Sequence, residues 1–302
     1  MLPEPKPPLL LRPFMARPWL WRAFLAVLTR FSGRFAARRR ASEQHQRALT
    51  LKDQGAFDEA LRIWRQEVLP VYGSSDDAHP RANVLTHVAD ALRAKGQHDE
   101  ALQLLRGEVL PLFERAGDPR GCAYVMVQIA DVFTAQGRQD CAITLLEEEV
   151  LPTYERLGDE RSKAVTMGRI AENLQTRGFL DEALEIRRDV ELPIFERLGD
   201  EVERAKTLGM IAGLYGVRGQ VDEALGIWRE DVLPALVAAG ARREVCRAQA
   251  NVAALLIERG RPEDLPESRA LLLAAEATAL ELNLSTELRS LRGWFLKVGL
   301  PT

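Results

Sequence analysis

The chain has 302 residues, of which 46% are hydrophobic and 28% charged, a balance that supports a buried core and excludes wholesale disorder or a collagen-like make-up. Three cysteines, Cys122, Cys141 and Cys246, are too few and too scattered for a disulfide framework and point to a reducing compartment. The net charge of −3 hides an asymmetry: residues 1–40 carry +8 and the rest of the chain −11, a basic arm on an acidic body.

Residues 1–18 hold six prolines and are expected to be extended or disordered. A basic amphipathic helix is predicted over 19–40, opening on Trp19. Trp21, Phe24, Leu25, Leu28, Phe31 and Phe35 share one face, Arg22, Arg30 and Arg34 take the other, and Arg38, Arg39 and Arg40 close the segment. No stretch approaches the ~18 uncharged apolar residues that a membrane span needs. Arg22 interrupts the apolar run, which argues against a cleavable signal. Four readings of the arm stay open. It can lie on an anionic membrane surface, cap the first unit of the body, or dock into the body's own groove or a partner. It can also bind nucleic acid, which the acidic body disfavours. An acid-poor amphipathic arm also suits a mitochondrial transit peptide.

From residue 41 onward the chain repeats itself. Leu-Pro occurs at 69–70, 110–111, 151–152, 192–193 and 233–234, each step being 41 residues. Gly55, Gly96, Gly137, Gly178, Gly219 and Gly260 keep the same step, as do Ala48, Ala89, Ala130, Ala171, Ala212 and Ala253. A second alanine series follows at Ala60, Ala101, Ala142, Ala183 and Ala224. So many registers held together mark a tandem array over 41–282.

Each unit reads as two helices. Met167, Ile170, Ala171 and Leu174 make one apolar stripe at three- and four-residue steps. Gly178 then stops the helix, because glycine enters the left-handed conformation without a Cβ clash. A second helix opens at Phe179, with acids in its first turn where the helix dipole favours them. Gly117, Gly158, Gly199 and Gly240 provide the stops between units, and Asp118, Asp159 and Asp200 the next N-caps. The proline falls inside the second helix, so a kink or short break is expected there. The last hairpin gains about five residues around Pro262, its second helix resuming at Ser268. A final amphipathic helix near 285–298, within a 283–302 tail, reads as a capping helix.

Six hairpins with this Ala…Gly…Ala spacing, as in Ile170, Ala171, Gly178 and Ala183, resemble tetratricopeptide repeats, and the long period resembles the kinesin-light-chain-like branch. The match covers about residues 41–280. It departs from the usual pattern where Leu85, Met126, Met167 and Leu208 replace an early tryptophan. It departs again at Arg187, in a column where Trp64, Leu105, Leu146 and Trp228 are large and apolar. The resemblance implies an all-α, right-handed solenoid of six helix-turn-helix repeats whose first helices line a concave groove. It also implies a non-catalytic scaffold or adaptor that binds a protein or peptide partner there. Carried over residue by residue, the groove positions are Asn83, Thr86 and Asp90; Tyr124, Val127 and Asp131; Val165, Gly168, Glu172 and Gln175; and Lys206, Gly209 and Gly213.

Asp90, Asp131 and Glu172 would form an acidic column suited to a basic partner segment. Gly168, Gly209, Gly213 and Gly216 would leave a floor with little side chain. Polar residues facing solvent and glycines easing helix packing are the plainer alternative.

No catalytic, metal or cofactor constellation accompanies the repeats. His45, His79, His87 and His98 are the only histidines, none paired at i,i+4 with another or with a cysteine. The thiols read as buried or half-buried. No phosphate loop and no nucleophile elbow occurs. The expectation is therefore no enzyme, no metal and no cofactor, in a cytoplasmic protein or one peripheral to the inner membrane face. The Arg/Ala/Leu-rich composition resembles bacterial proteins. The open edges of the array leave a homo-oligomer compatible with the sequence.

Overall fold

The structure is a computed structural model that describes residues 18–73 and 78–300, with side chains from Phe35 onward. All regular elements among the described residues are helical. The first helix of each repeat is α1 (Pro18–Asp53), α3 (Ala78–Ala94), α5 (Pro119–Ala135), α7 (Glu160–Thr176), α9 (Glu201–Val217) and α11 (Arg242–Arg259). The second helices are α2 (57–71), α4 (98–116), α6 (139–157), α8 (180–198), α10 (221–238) and α12 (Leu265–Glu281), followed by α13 (Ser285–Val298). The chain is thus an α-solenoid of six hairpins closed by one more helix.

Local chemistry sets these boundaries. Asp118, Asp159 and Asp200 accept from the backbone N–H of Gly121, Ser162 and Glu203 at 2.9, 3.1 and 3.2 Å, satisfying donors that the first turn leaves free. Gly178 and Gly199 end their helices at φ +87° and +65°, a conformation that a Cβ would strain. Both alanine series, eleven residues in all, are at most 1% exposed, so small side chains let the two helices of each pair approach closely and larger apolar groups fill the space around them.

In four of its five copies the recurrent proline does not break its helix. A π-helical turn precedes it in every case: Trp64–Val68, Leu105–Val109, Leu146–Val150, Ile186–Glu191 and Trp228–Val232. The leucine before each proline donates its N–H to the carbonyl five residues back, from Leu110 to Leu105 and from Leu151 to Leu146, for example. Proline brings no N–H and crowds the carbonyl four residues earlier. The wider turn moves that carbonyl aside, and the helix runs on to Gly117, Gly158 or Gly199. Helix α2 is the exception and ends at Val71. Gly73 there replaces the Glu114, Glu155 and Glu196 of later copies, a change that costs helix propensity.

Successive first helices touch one another at several steps, whereas successive second helices make no comparable contact among the described residues. First helices therefore line the inside of the curve. The long pairs Lys95–Asp58, Arg177–Asp140, Arg218–Asp181 and Arg259–Asp222 repeat along one edge, with Gln136–Asp99 completing the ladder. His79–Asp118, Arg120–Asp159 and Arg161–Asp200 repeat along the other. Each exposed pair contributes little alone, but together they fix the register of neighbouring repeats.

Two predicted boundaries shift. Helix α12 resumes at Leu265 rather than Ser268, after a 3₁₀ turn over Pro262–Asp264. Arg259 holds the buried Asp264 with two bonds, of 2.8 and 2.7 Å. The predicted basic helix is not a separate element but the first part of the 36-residue α1, continuous with the first repeat. Helix α13 buries Leu291, Phe295 and Val298 against the last hairpin, as a cap does.

Candidate functional site: the concave wall

Along each first helix, residues at i, i+4, i+7 and i+11 from Asn83 face the inside of the curve. Asn83 and Tyr124 are exposed, Val165 and Lys206 half-buried, and the exposed Arg247 continues their row. Asp90, Asp131, Glu172 and Gly213 form a second row; Gln175 is half-buried beside it.

Four predicted groove residues are not on this wall. Thr86, Val127, Gly168 and Gly209 are all buried. With 3.6 residues per turn, Thr86 sits about 100° round the helix from its neighbour His87, which carries it into the seam with the second helix. Its hydroxyl donates to the Ala82 carbonyl at 2.9 Å. The two glycines make room for second-helix side chains: a Cβ on Gly168 would stand 2.6 Å from the Glu191 carboxylate, and one on Gly209 2.7 Å from the Trp228 ring. Gly216 abuts Leu255, 3.1 Å from where its Cβ would be. Of the expected glycine floor only Gly213 faces open space.

The acidic column is largely neutralised from within. Asp90 accepts from Lys52 at 2.8 Å and from Arg93 at 2.6 Å. Burial alone would raise its pKa, but those two cations hold it below the usual carboxylate value. Asp131 is paired with Arg169, and burial nonetheless pushes its carboxyl up. Only Glu172 stands exposed. A basic partner would have to displace Lys52, Arg93 and Arg169, so the column does not offer the free carboxylates expected of it.

The open features lie further along. On α9, Met210 is 52% and Val217 63% exposed, with Gly213 between them. The equivalent stripe is polar on α7, where Arg169, Glu172 and Thr176 stand. A cavity of about 160 Å³ opens beside Met210 between α9, α10 and α11, with Lys206, Trp228, Arg247 and Asn251 in its lining. A second, of about 250 Å³, lies between α11 and α13 and is lined by Arg247, Asn251, Glu287 and Trp294 among others. Arg247 and Asn251 thus stand on a ridge shared by both cavities. Glu287 is held by Arg243 at 3.0 Å, whereas Arg247 has no ion pair among the described residues. Sequence reasoning missed Met210, Val217, Arg247, Asn251 and Trp294. The available signal was the change of column chemistry from polar to apolar in the fifth copy.

It also missed a cluster in the first two repeats. The buried Trp64 donates its indole N–H to Nδ1 of His45 at 3.0 Å, and His87 stacks on the same ring, 5.4 Å from the His45 ring centre. Burial lowers both imidazoles, His87 to about 4, helped by Lys52. His79 pairs with Asp118 elsewhere. Of the three thiols Cys246 is buried and Cys122 half-buried, but Cys141 is exposed, against expectation.

In the arm, the side chains of Trp19, Trp21, Arg22, Phe24, Leu25, Leu28, Arg30, Phe31 and Arg34 lie outside the described residues, as do residues 1–17 altogether. Phe35 is 77% exposed; Arg38 and Arg40 are exposed, and Arg39 pairs with Glu43 at 3.0 Å.

No protein-family model and no curated protein matches the chain. Solved structures match its fold. Aspartyl phosphate phosphatase F from Bacillus subtilis aligns with a TM-score of 0.63 at 13% identity, over 92% of this chain and 74% of that one. A Rap protein complexed with Competence and Sporulation Factor gives 0.58 at 13%, over 85% and 73%. A kinesin light chain of Podosopora anserina with nearly identical TPR-like repeats gives 0.50 at 20%, over 67% and 95%. At these identities the likeness is one of fold, and that fold is the tetratricopeptide-like solenoid.

Proposed function

We propose that this chain is a non-catalytic adaptor that holds a segment of a partner protein along the C-terminal half of its concave wall. The observation that carries the reading is the exposed Met210–Gly213–Val217 stripe. At Met210 it adjoins one cavity, whose Arg247 and Asn251 also line a second one between α11 and α13. Apolar side chains exposed in a row, where the preceding copy is polar, mark a contact surface. Arg247, which has no ion pair among the described residues, supplies a donor fork, and Asn251 an amide, for the backbone or side-chain oxygens of the segment. The occupant so described carries apolar side chains and acceptors, rather than the basic residues that the acidic column suggested. The Rap protein of the same fold, held in complex with its factor, supports a ligand-holding role by analogy of fold. Free cysteines suit a reducing compartment such as the cytoplasm.

Panning a displayed library of random peptides on the full chain, with a Met210→Glu/Arg247→Glu variant as counter-selection, tests this reading. Peptides that bind the parent and not the variant are expected. Binding that survives both changes would place the contact elsewhere, and an absence of binders would remove the segment-holding role.

The arm supports a second reading, in which the protein assembles its partner on an anionic membrane surface. Helix α1 has 36 residues where α3, α5, α7 and α9 have 17, so it continues well past the first hairpin. No helix among the described residues is long and apolar enough to cross a membrane, so the arm would lie on the surface. Salt-sensitive pelleting with anionic liposomes by the full chain, and not by a 41–302 truncation, would establish it. Equal behaviour of the two would exclude it.

A further inference from the structure

Two columns of the second helices face their own first helix. Trp64, Leu105, Leu146 and Trp228 fill one, and Val68, Val109, Val150 and Val232 the other, all buried. In the fourth repeat these places hold Arg187 and Glu191, which are only 4% and 6% exposed. The two pair at 3.0 Å. Arg187 donates a second bond to the Gly168 carbonyl at 3.2 Å, and Thr207 on the next first helix donates to Glu191 at 3.1 Å. Arg187 Nε is buried without a partner among the described residues. Asn173, where neighbouring repeats have Val132 and Leu214, is likewise buried, between Thr134 and the Arg169 carbonyl.

These polar groups interrupt the core. Among the fully buried apolar side chains one cluster runs from Ala41 to Ile170, a second from Ala205 to Leu256, and a third packs the last hairpin against α13 around Leu272 and Phe295. Between the first two the buried core is reduced to two small patches, around Phe195 and around Leu184, and the Leu184 patch is joined to its neighbours only through half-buried side chains, Leu174 and Ile186 on one side and Tyr215 and Ile227 on the other. A buried ion pair commonly gives no more stability than the apolar side chains it replaces, because both charges lose their water. A repeat array, moreover, is held together by the coupling of each repeat to its neighbours.

We infer that the fourth repeat is a joint: the array consists of two cooperatively packed blocks that open and bend relative to each other at α7 and α8. The joint lies between the half of the concave wall whose Asp90 and Asp131 are paired internally and the half that carries the open stripe and cavities. Bending there changes the distance between the two halves without unfolding either. The joint stands on the packing alone and does not require the binding role proposed above.

Hydrogen exchange on the full chain tests it. Amides of α7 and α8 are expected to exchange at least about tenfold faster than those of α5 and α6, because local opening is governed by local packing. The triple variant Gly168→Val/Arg187→Leu/Glu191→Val copies the third repeat, where Val127, Leu146 and Val150 stand. It is expected to bring that exchange down to the level of its neighbours and to raise Tm. Uniform exchange in the parent, or a folded triple variant with unchanged exchange, would overturn the joint. Should the variant not fold, the parent profile decides.

Discussion

The hydroxyl of Ser285 donates to the backbone carbonyl of Gln54 at 2.9 Å, across 231 residues of chain. Gln54 follows the last turn of the first helix, on one edge of the array, whereas Ser285 opens α13 on the opposite edge. Their meeting brings the start of α13 against the end of the first helix, so the two ends of the array close on each other.

Cysteines introduced as Gln54→Cys and Ser285→Cys should therefore form an intramolecular disulfide on mild oxidation, seen as a faster-migrating monomer. The native thiols Cys122, Cys141 and Cys246 remain as the background control. Failure to cross-link, with both thiols reactive to a labelling reagent, would show that the ends stay apart in solution.

Two glycines of one helix should respond in opposite directions. Gly209→Ala places a methyl 2.7 Å from Trp228 and is expected to cost about 1–3 kcal/mol through overpacking. Gly213→Ala meets nothing within 4 Å and is expected to stabilise by about 0.5–1 kcal/mol, since glycine weakens a helix interior. Denaturant midpoints of the two variants check both signs at once.

Arg187 and Glu191 allow a sharper test of buried charge. Arg187→Leu alone strands the Glu191 carboxylate and is expected to cost about 3–5 kcal/mol. Arg187→Leu with Glu191→Val should recover most of that loss. Thermal unfolding of the single and double variants measures the difference, and equal losses would deny the pairing.

The histidine cluster makes the first two repeats acid-sensitive. Protonating His45 occupies the Nδ1 lone pair that accepts from Trp64, leaving a fully buried indole N–H without an acceptor. Both imidazoles titrate below their ordinary 6.5, His87 at about 4. A histidine whose pKa is lowered by folding contributes its stability in full above pH 6.5 and loses it as the pH falls toward the folded value. Protection factors of the α1–α3 amides, corrected for the intrinsic rate at each pH, should fall between pH 6.5 and 4 before those of α5 and α6 do. His87→Gln should blunt the effect, and a pH-independent pattern would contradict it.

How much of this was legible beforehand follows from what each feature depends on. The period, the alanine contacts, the aspartate caps and the glycine stops are local or repeated features, and the 41-residue spacing displayed them. The π-helical turn was not legible, because Leu-Pro announces a missing donor without saying how the helix absorbs it. The roles of Gly168 and Gly209 depended on Glu191 and Trp228, nineteen or more residues away on another helix. Lys52 and Arg169 neutralise the acidic column from 38 residues away, a step that does not coincide with the period. Arg187 was visible as an exception, but its answer, Glu191 in a valine column, was not sought.

The central claim is that the inner wall, and within it the α9–α11 stretch, is where a partner sits. A photo-reactive amino acid at Met210 on the inner wall, compared with one at Glu148 on the outer helices, tests this in the native cell. Discrete cross-linked adducts from position 210 and none from position 148 are the predicted result. Adducts from 148 alone, or from neither position, would contradict the account.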